Sequence, residues 1–223
     1  MENKDYIEQE GACPKTTLET LARIICYLFP PFIVPVIIFI WLFFCTYLSI
    51  MPILYKLYAI SMTFCFTMLM PMVFIYLYQR INGKKLQGLG DRKRRFIPYI
   101  LTIMGYSTCL LVMYNMHFPR YMSGIIIACL LCMTICCIIN LKWKISTHMS
   151  ACGLLISSLL AYSFIFLFNP IWWLCLLIML AGIIGSARII VKQHSLCEVT
   201  TGFIIGIFCF KFLKMLSRTI CDF

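Results

Sequence analysis

A chain of 223 residues that is 62% hydrophobic and only 12% charged, with a mean hydropathy of +0.94, cannot be a water-soluble globular domain. Its net charge of +11 suits anionic lipid rather than nucleic acid, because the basic residues sit between apolar runs and lack the interleaved exposed aromatics of a single-strand binder.

A helix needs about 20 apolar residues to cross the hydrocarbon core. Runs that meet this lie near 31–50, 57–79, 97–116, 121–141, 149–168, 171–187 and 196–214. The expected fold is all-α, a polytopic transmembrane helical bundle with six or seven spans, formed by residues 21–223 as one membrane-embedded domain behind a polar segment, 1–20. That segment carries Glu2, Asp5, Glu8, Glu10 and Glu19, the wrong charges for the basic start of a cleavable signal, so the first apolar segment is expected to stay. "FPPFIVPVIIFIW" places Pro30, Pro31 and Pro35 where a helix should begin. The pattern predicts an interfacial amphipathic segment before Pro30, with Arg23 toward the headgroups, and a span after it.

The next polar stretch, "QRINGKKLQGLGDRKRRFIPYI" (79–100), holds Arg80, Lys84, Lys85, Arg92, Lys93, Arg94 and Arg95 against the single acid Asp91. Most of the 14 cysteines lie within apolar runs such as "IIIACLLCMTICCIIN", without the spacing of zinc sites. They read as small core residues, and neither a metal nor a structural disulfide is expected.

If each run crosses once, the loops at 80–96, 142–149 and 188–195 are separated by two spans each and emerge on one face. There the arginine cluster meets Ser146, Thr147 and His148 of "KWKISTHMSACG", together with Arg188 and His194 of "GSARIIVKQHSLCEVTTG". Of the 3 histidines, only His117, beside Pro119 and Arg120, belongs to the opposite face. Clustered cations with hydroxyl and backbone donors cradle a phosphate, while histidine supplies a nucleophile or a proton. His194 and Glu198 are four apart, so on a helix they share a face with Cβ atoms about 5–6 Å apart. A carboxylate there can hold Nδ1–H and leave Nε2 free to attack phosphorus. Charges at helix ends in a membrane are costly enough to suggest function.

These residues resemble the type 2 phosphatidic acid phosphatases, relatives of the vanadium haloperoxidases, whose motifs are broadly K-x6-R-P, P-S-G-H and S-R-x5-H-x3-D. Arg188, His194 and Glu198 reproduce the third spacing, with "VTTG" following in the family's manner. Ser146, Thr147 and His148 match the second, with Ile145 for its proline and Thr147 for its glycine. "DRKRRFIP" matches the first loosely, since Arg95 stands three residues before Pro98. With "YLFPPFIVP", the pattern looks like a short branch of the family common in Bacteroidetes.

The resemblance implies that His194 attacks a phosphomonoester or pyrophosphate to give a phosphohistidine, that His148 protonates the leaving oxygen, and that Glu198 orients His194. Arg188, Ser146 and the Thr147 N–H would hold the phosphoryl oxygens with Arg95, helped by Lys93 or Arg94. Glu for Asp adds a methylene, Thr for Gly adds bulk while keeping the N–H, and the altered first motif leaves the choice among Arg92, Lys93, Arg94 and Arg95 open. Phosphoryl transfer rests on positioning and charge stabilisation, so no metal or cofactor is expected, and no obligatory protein partner is evident. An apolar groove between spans favours a lipid substrate: phosphatidic acid, phosphatidylglycerol phosphate, undecaprenyl pyrophosphate or a lipid A phosphate. The same site would serve a phosphotransferase with a lipid acceptor, and a non-enzymatic lipid or anion transporter is the competing class. The location implied is a bacterial inner membrane. Of the 19 Lys and Arg, only Lys56, Arg120, Lys211, Lys214 and Arg218 fall on the face opposite the site, which by the positive-inside rule makes the site cytoplasmic, although many bacterial relatives face the periplasm.

Overall fold

The structure, a computed structural model, describes residues 17–87 and 91–221, with side chains described for 19–81 and 96–209. Every regular element among the described residues is helical, as expected where lipid cannot satisfy backbone N–H and C=O groups.

Helix α1 (Thr17–Leu28) is followed by a 3₁₀ turn at Pro31–Ile33 and by α2 (Val34–Cys45), with Pro35 in the first turn of α2. There a missing N–H costs nothing, so the prolines turn the chain between two helices instead of kinking one. After a 3₁₀ turn at Tyr47–Ile50, α3 (Ile53–Phe64) passes through a π turn at Cys65–Leu69 into α4 (Met70–Gln87). Pro71 accounts for the wider turn: in an α-helix its ring would press on the carbonyl of Thr67. The chain continues as α5 (Asp91–Asn115), α6 (Arg120–Asn140), α7 (Thr147–Phe166), α8 (Ile171–Ile190) and α9 (Leu196–Cys221).

Among the described residues, 6 stretches are long and apolar enough to cross a membrane: Glu19–Cys45, Ile53–Ile81, Phe96–Asn115, Arg120–Asn140, Thr147–Phe166 and Ile171–Ile190. Leu196–Cys209 is a shorter apolar helix, so the seventh expected run falls short of that length within the described side chains. The protein is an all-α polytopic bundle. The first crossing segment is broken between α1 and α2, and α1 lies against α8 with Ala22 buried and Leu21, Arg23, Ile24 and Tyr27 exposed.

Helix α7 is the centre of the bundle. Of its apolar window 78% is buried, against 22% for that of α8, whose Trp172, Ile178 and Met179 face outward. Lipid tails are as apolar as leucine, so helix association here rests on close packing rather than on escape from water. The closest packing joins α7 to α9, which run parallel with α8 as the return. A Cβ on Gly202 would sit 2.6 Å from the Ser146 carbonyl oxygen, and one on Gly206 would sit 2.1 Å from that of Ser150. This Gly202-x-x-x-Gly206 pair lets the two backbones touch.

The buried hydroxyls of Thr63, Thr67, Thr102, Ser150 and Ser158 each donate to a carbonyl three or four residues earlier, which satisfies them within their own helices in the apolar interior. One apolar core gathers Phe39, Phe43, Tyr106, Met122 and Ile126 between α2, α5 and α6. A second, made of Met149, Cys152, Ile184 and Val199, lies between α7, α8 and α9 directly beneath the polar turns. The described cysteines carry free thiols.

Candidate active site

Two turns build the site. Helix α8 ends in a Schellman arrangement, with Gln193 N–H donating to Arg188 O at 3.3 Å and Lys192 N–H donating to Ile189 O at 2.9 Å. Its left-handed position is filled by Lys192, at φ 54°, where glycine is usual. Three residues further on, α9 opens with a capping box: Glu198 N–H donates to Ser195 Oγ at 3.4 Å, and Ser195 N–H donates to Glu198 Oε2 at 3.3 Å.

His194 is clamped between these two caps. It lies ahead of the helix rather than on it, yet its Nδ1–H reaches the same Glu198 Oε2 at 2.8 Å. The contact expected from the spacing therefore forms, by a different geometry, and it fixes the ring and the tautomer. His194 and Glu198 side chains are 6% and 15% exposed. Burial, reinforced by the nearby charges of Arg188 and Lys144, pushes the imidazole down to about 4 against the opposing pull of Glu198. At neutral pH the ring is therefore uncharged, the pair is a hydrogen bond rather than an ion pair, and Nε2 carries a lone pair.

The second turn delivers Ser146, Thr147 and His148 at the start of α7. Ser146 is the N-cap residue, and its N–H donates to Glu198 O at 3.5 Å, which ties the turn to the start of α9. Thr147 is the first helical residue, so its N–H is one of the four that a helix start leaves without an internal partner. The starts of α7 and α9 thus converge, and helix starts favour anions. His148 Nε2–H donates to the carbonyl of Cys26 at 3.3 Å, so α1 sets this ring's orientation and Nδ1 is the nitrogen left for chemistry. Arg188, in the last turn of α8, stands close to both imidazoles.

The buried side-chain nitrogen and oxygen atoms without a partner, among the described residues, are Trp41 Nε1, Ser146 Oγ, His148 Nδ1 and Arg188 Nε. Buried polar groups are almost always paired. Three of these four belong to this one site, and each is an atom that could engage a phosphoryl group or its leaving oxygen.

A cleft of about 370 Å³ opens in front. Thr147, Arg188, His194, Lys144, Gln193 and Asn140 form its polar wall, and Pro31, Phe32, Pro98, Tyr99 and Met133 its apolar wall. Ser146, His148 and Glu198 stand behind this surface. The side chains of Lys93, Arg94 and Arg95 lie outside the described residues, but Pro98 and Tyr99 bring the first turns of α5 to the cleft. His117 lies in the turn between α5 and α6, on the other face.

Sequence reasoning missed four contributors. Ser195 was readable, since S-x-x-E before an apolar run marks a capping box. Lys144 and Asn140 gave a weaker signal, as polar residues beside the second motif. The Cys26 carbonyl gave none, because every residue has one. Comparison with protein-family models, with curated proteins and with solved structures finds no match to this chain.

Proposed function

We propose that the chain is a membrane-embedded lipid phosphatase of the type 2 phosphatidic acid phosphatase kind, acting on a phosphomonoester or pyrophosphate through a phosphohistidine. The observation that carries this reading is the convergence of Ser146 Oγ, His148 Nδ1 and Arg188 Nε, all buried and unpartnered, around a histidine whose tautomer Glu198 fixes. A structural cluster would have paired these groups with one another, because leaving a buried polar group unpaired costs about 1–3 kcal/mol.

In the proposed reaction Arg188, Ser146 and the Thr147 N–H hold the non-bridging oxygens, with a basic residue of the 92–95 run completing the cradle. His194 Nε2 forms a bond to phosphorus as the bond from phosphorus to the leaving oxygen breaks. His148 enters the step as the imidazolium, with Nε2–H on the Cys26 carbonyl, passes its Nδ1 proton to that oxygen and is left neutral. The positive charge that develops on His194 is stabilised through Nδ1–H by the Glu198 carboxylate. A water, deprotonated by His148 Nδ1, then displaces His194 and releases inorganic phosphate. The apolar wall of Phe32, Tyr99 and Met133 suits the lipid portion of an amphipathic substrate. The proposal includes a bacterial inner membrane, with the site on its cytoplasmic side as the positive-inside rule favours.

The test is phosphate release by purified protein in detergent, in the presence of a chelator, from phosphatidic acid, phosphatidylglycerol phosphate, undecaprenyl pyrophosphate and a lipid A phosphate. We expect release from at least one of them. Arg188→Lys should lose most of it, because an ammonium cannot reproduce a guanidinium's two-pronged grip. No release from any of them, or a strict need for an added divalent metal, would sink the mechanism.

A further inference from the structure

We infer that Lys144 is a further phosphoryl ligand, whose ammonium takes a non-bridging oxygen of the substrate beside His194. The inference rests on the function proposed above and extends it to a residue outside the three motif positions. Lys144 lies in the turn between α6 and α7, two residues before the N-cap. Its Nζ donates to the carbonyl of Gln193, the residue before His194, across a sequence separation of 49. That bond pins one end of a long, flexible side chain next to the nucleophile and leaves further N–H donors on the ammonium. The side chain lines the same cleft as Thr147, Arg188 and His194. Among the described residues the one carboxylate pair is His194 with Glu198, so no described acid neutralises the ammonium. Its charge also acts on the His194 ring, which places it within electrostatic reach of whatever bonds to Nε2.

A purely structural clip between the two turns would use the same bond to Gln193, so the test must separate ligand from clip. The chain has 3 histidines, which makes histidine-labelled protein tractable by NMR. Inorganic phosphate titrated into wild type should perturb the His194 and His148 ring signals and leave His117 unmoved. Lys144→Gln should weaken that binding about tenfold or more, the loss of one hydrogen bond to a charged group, without changing the melting temperature. Lys144→Arg should bind within about threefold of wild type, since the charge is retained. Equal phosphate affinity in wild type and Lys144→Gln would overturn the inference, as would an affinity loss in Lys144→Gln that tracks a matching loss of thermal stability. Should Lys144→Gln fail to fold, wild type answers directly: phosphate should slow modification of Lys144 by an amine-reactive reagent, read by mass spectrometry, and no protection overturns the inference. Wild type that binds phosphate nowhere near His194 would instead overturn the proposed function itself.

Discussion

In the proposed mechanism His194 must be neutral before it attacks and positively charged afterwards, and its surroundings treat the two states differently. Burial and two neighbouring cations keep the resting ring uncharged down to about pH 4, while Glu198, already bonded to Nδ1, becomes an ion-pair partner once the charge appears. The sign follows for pH. The unfolded chain binds a proton near 6.5 and the folded ring only near 4, so this group's contribution to stability is full above 6.5 and is lost as pH falls through that window. Acylation of the neutral ring by diethyl pyrocarbonate, followed on the His194 peptide, should therefore be nearly as fast at pH 5.5 as at 7.5. An ordinary histidine would drop to about a tenth, and such a drop would show that the ring is not held neutral. The two histidines should also fail differently. His194→Ala should abolish turnover and covalent labelling together. His148→Ala should spare attack on an aryl phosphate whose leaving group needs no proton, and phosphate trapped on His148 in the His194→Ala protein would reverse the roles.

At the scale of elements, the site is a joint between caps. Only Gln193 and His194 separate the left-handed Lys192 from the N-cap Ser195, so His194, the proposed nucleophile, is positioned by how α8 stops and how α9 starts. Glu198 serves the capping box and the histidine with one oxygen, which gives the longer glutamate a use: capping boxes take Glu or Gln at this position. Glu198→Gln should accordingly keep the cap and the fold while slowing phosphoenzyme formation. Ser195→Ala should cost about 1 kcal/mol in stability with a smaller effect on that step, and the reverse ranking would show that Glu198 acts only as a cap. Gly206→Leu would drive a side chain into the Ser150 carbonyl, part α7 from α9 and separate Ser146 from Glu198, so both melting temperature and activity should fall. Much of this was legible in advance, and the reason is physical. The apolar runs follow from the thickness of a bilayer, and the His194 to Glu198 contact from a local spacing that survives even though the helix starts after His194. What could not be read depends on distant backbone. The Cys26 carbonyl that orients His148 sits 122 residues away, and the glycine pair gains meaning only once α9 is known to lie on α7. Lys144 was visible as a charge, but its pairing with Gln193 O spans two loops.

Across the whole molecule, the polar turns segregate to opposite ends. The turn between α6 and α7 and the turn between α8 and α9 carry the site. The start of α3 meets the turn between α5 and α6 at the other end, where Tyr55 stacks on Phe118 at 5.7 Å and Lys56 reaches back to the Ser49 carbonyl at 2.6 Å. Helix α6 has 21 residues, about 32 Å at ~1.5 Å per residue, enough for one crossing of a ~30 Å core. His117 and Lys142, both exposed and just beyond its two ends, should therefore lie on opposite sides of the membrane. On the sidedness proposed above, which follows from the basic residues clustering with the site, Lys142 is expected in the cytoplasm. In a thiol-free background, His117→Cys should react with a membrane-impermeant maleimide in intact cells, whereas Lys142→Cys should react only after permeabilisation. The reversed pattern would keep the fold but turn the site outward, to substrates of the outer leaflet, and would mean that the catalytic cations rather than topological signals dominate the charge count. Labelling of both from the same side would break the single crossing by α6, and with it the convergence of the three loops on one face.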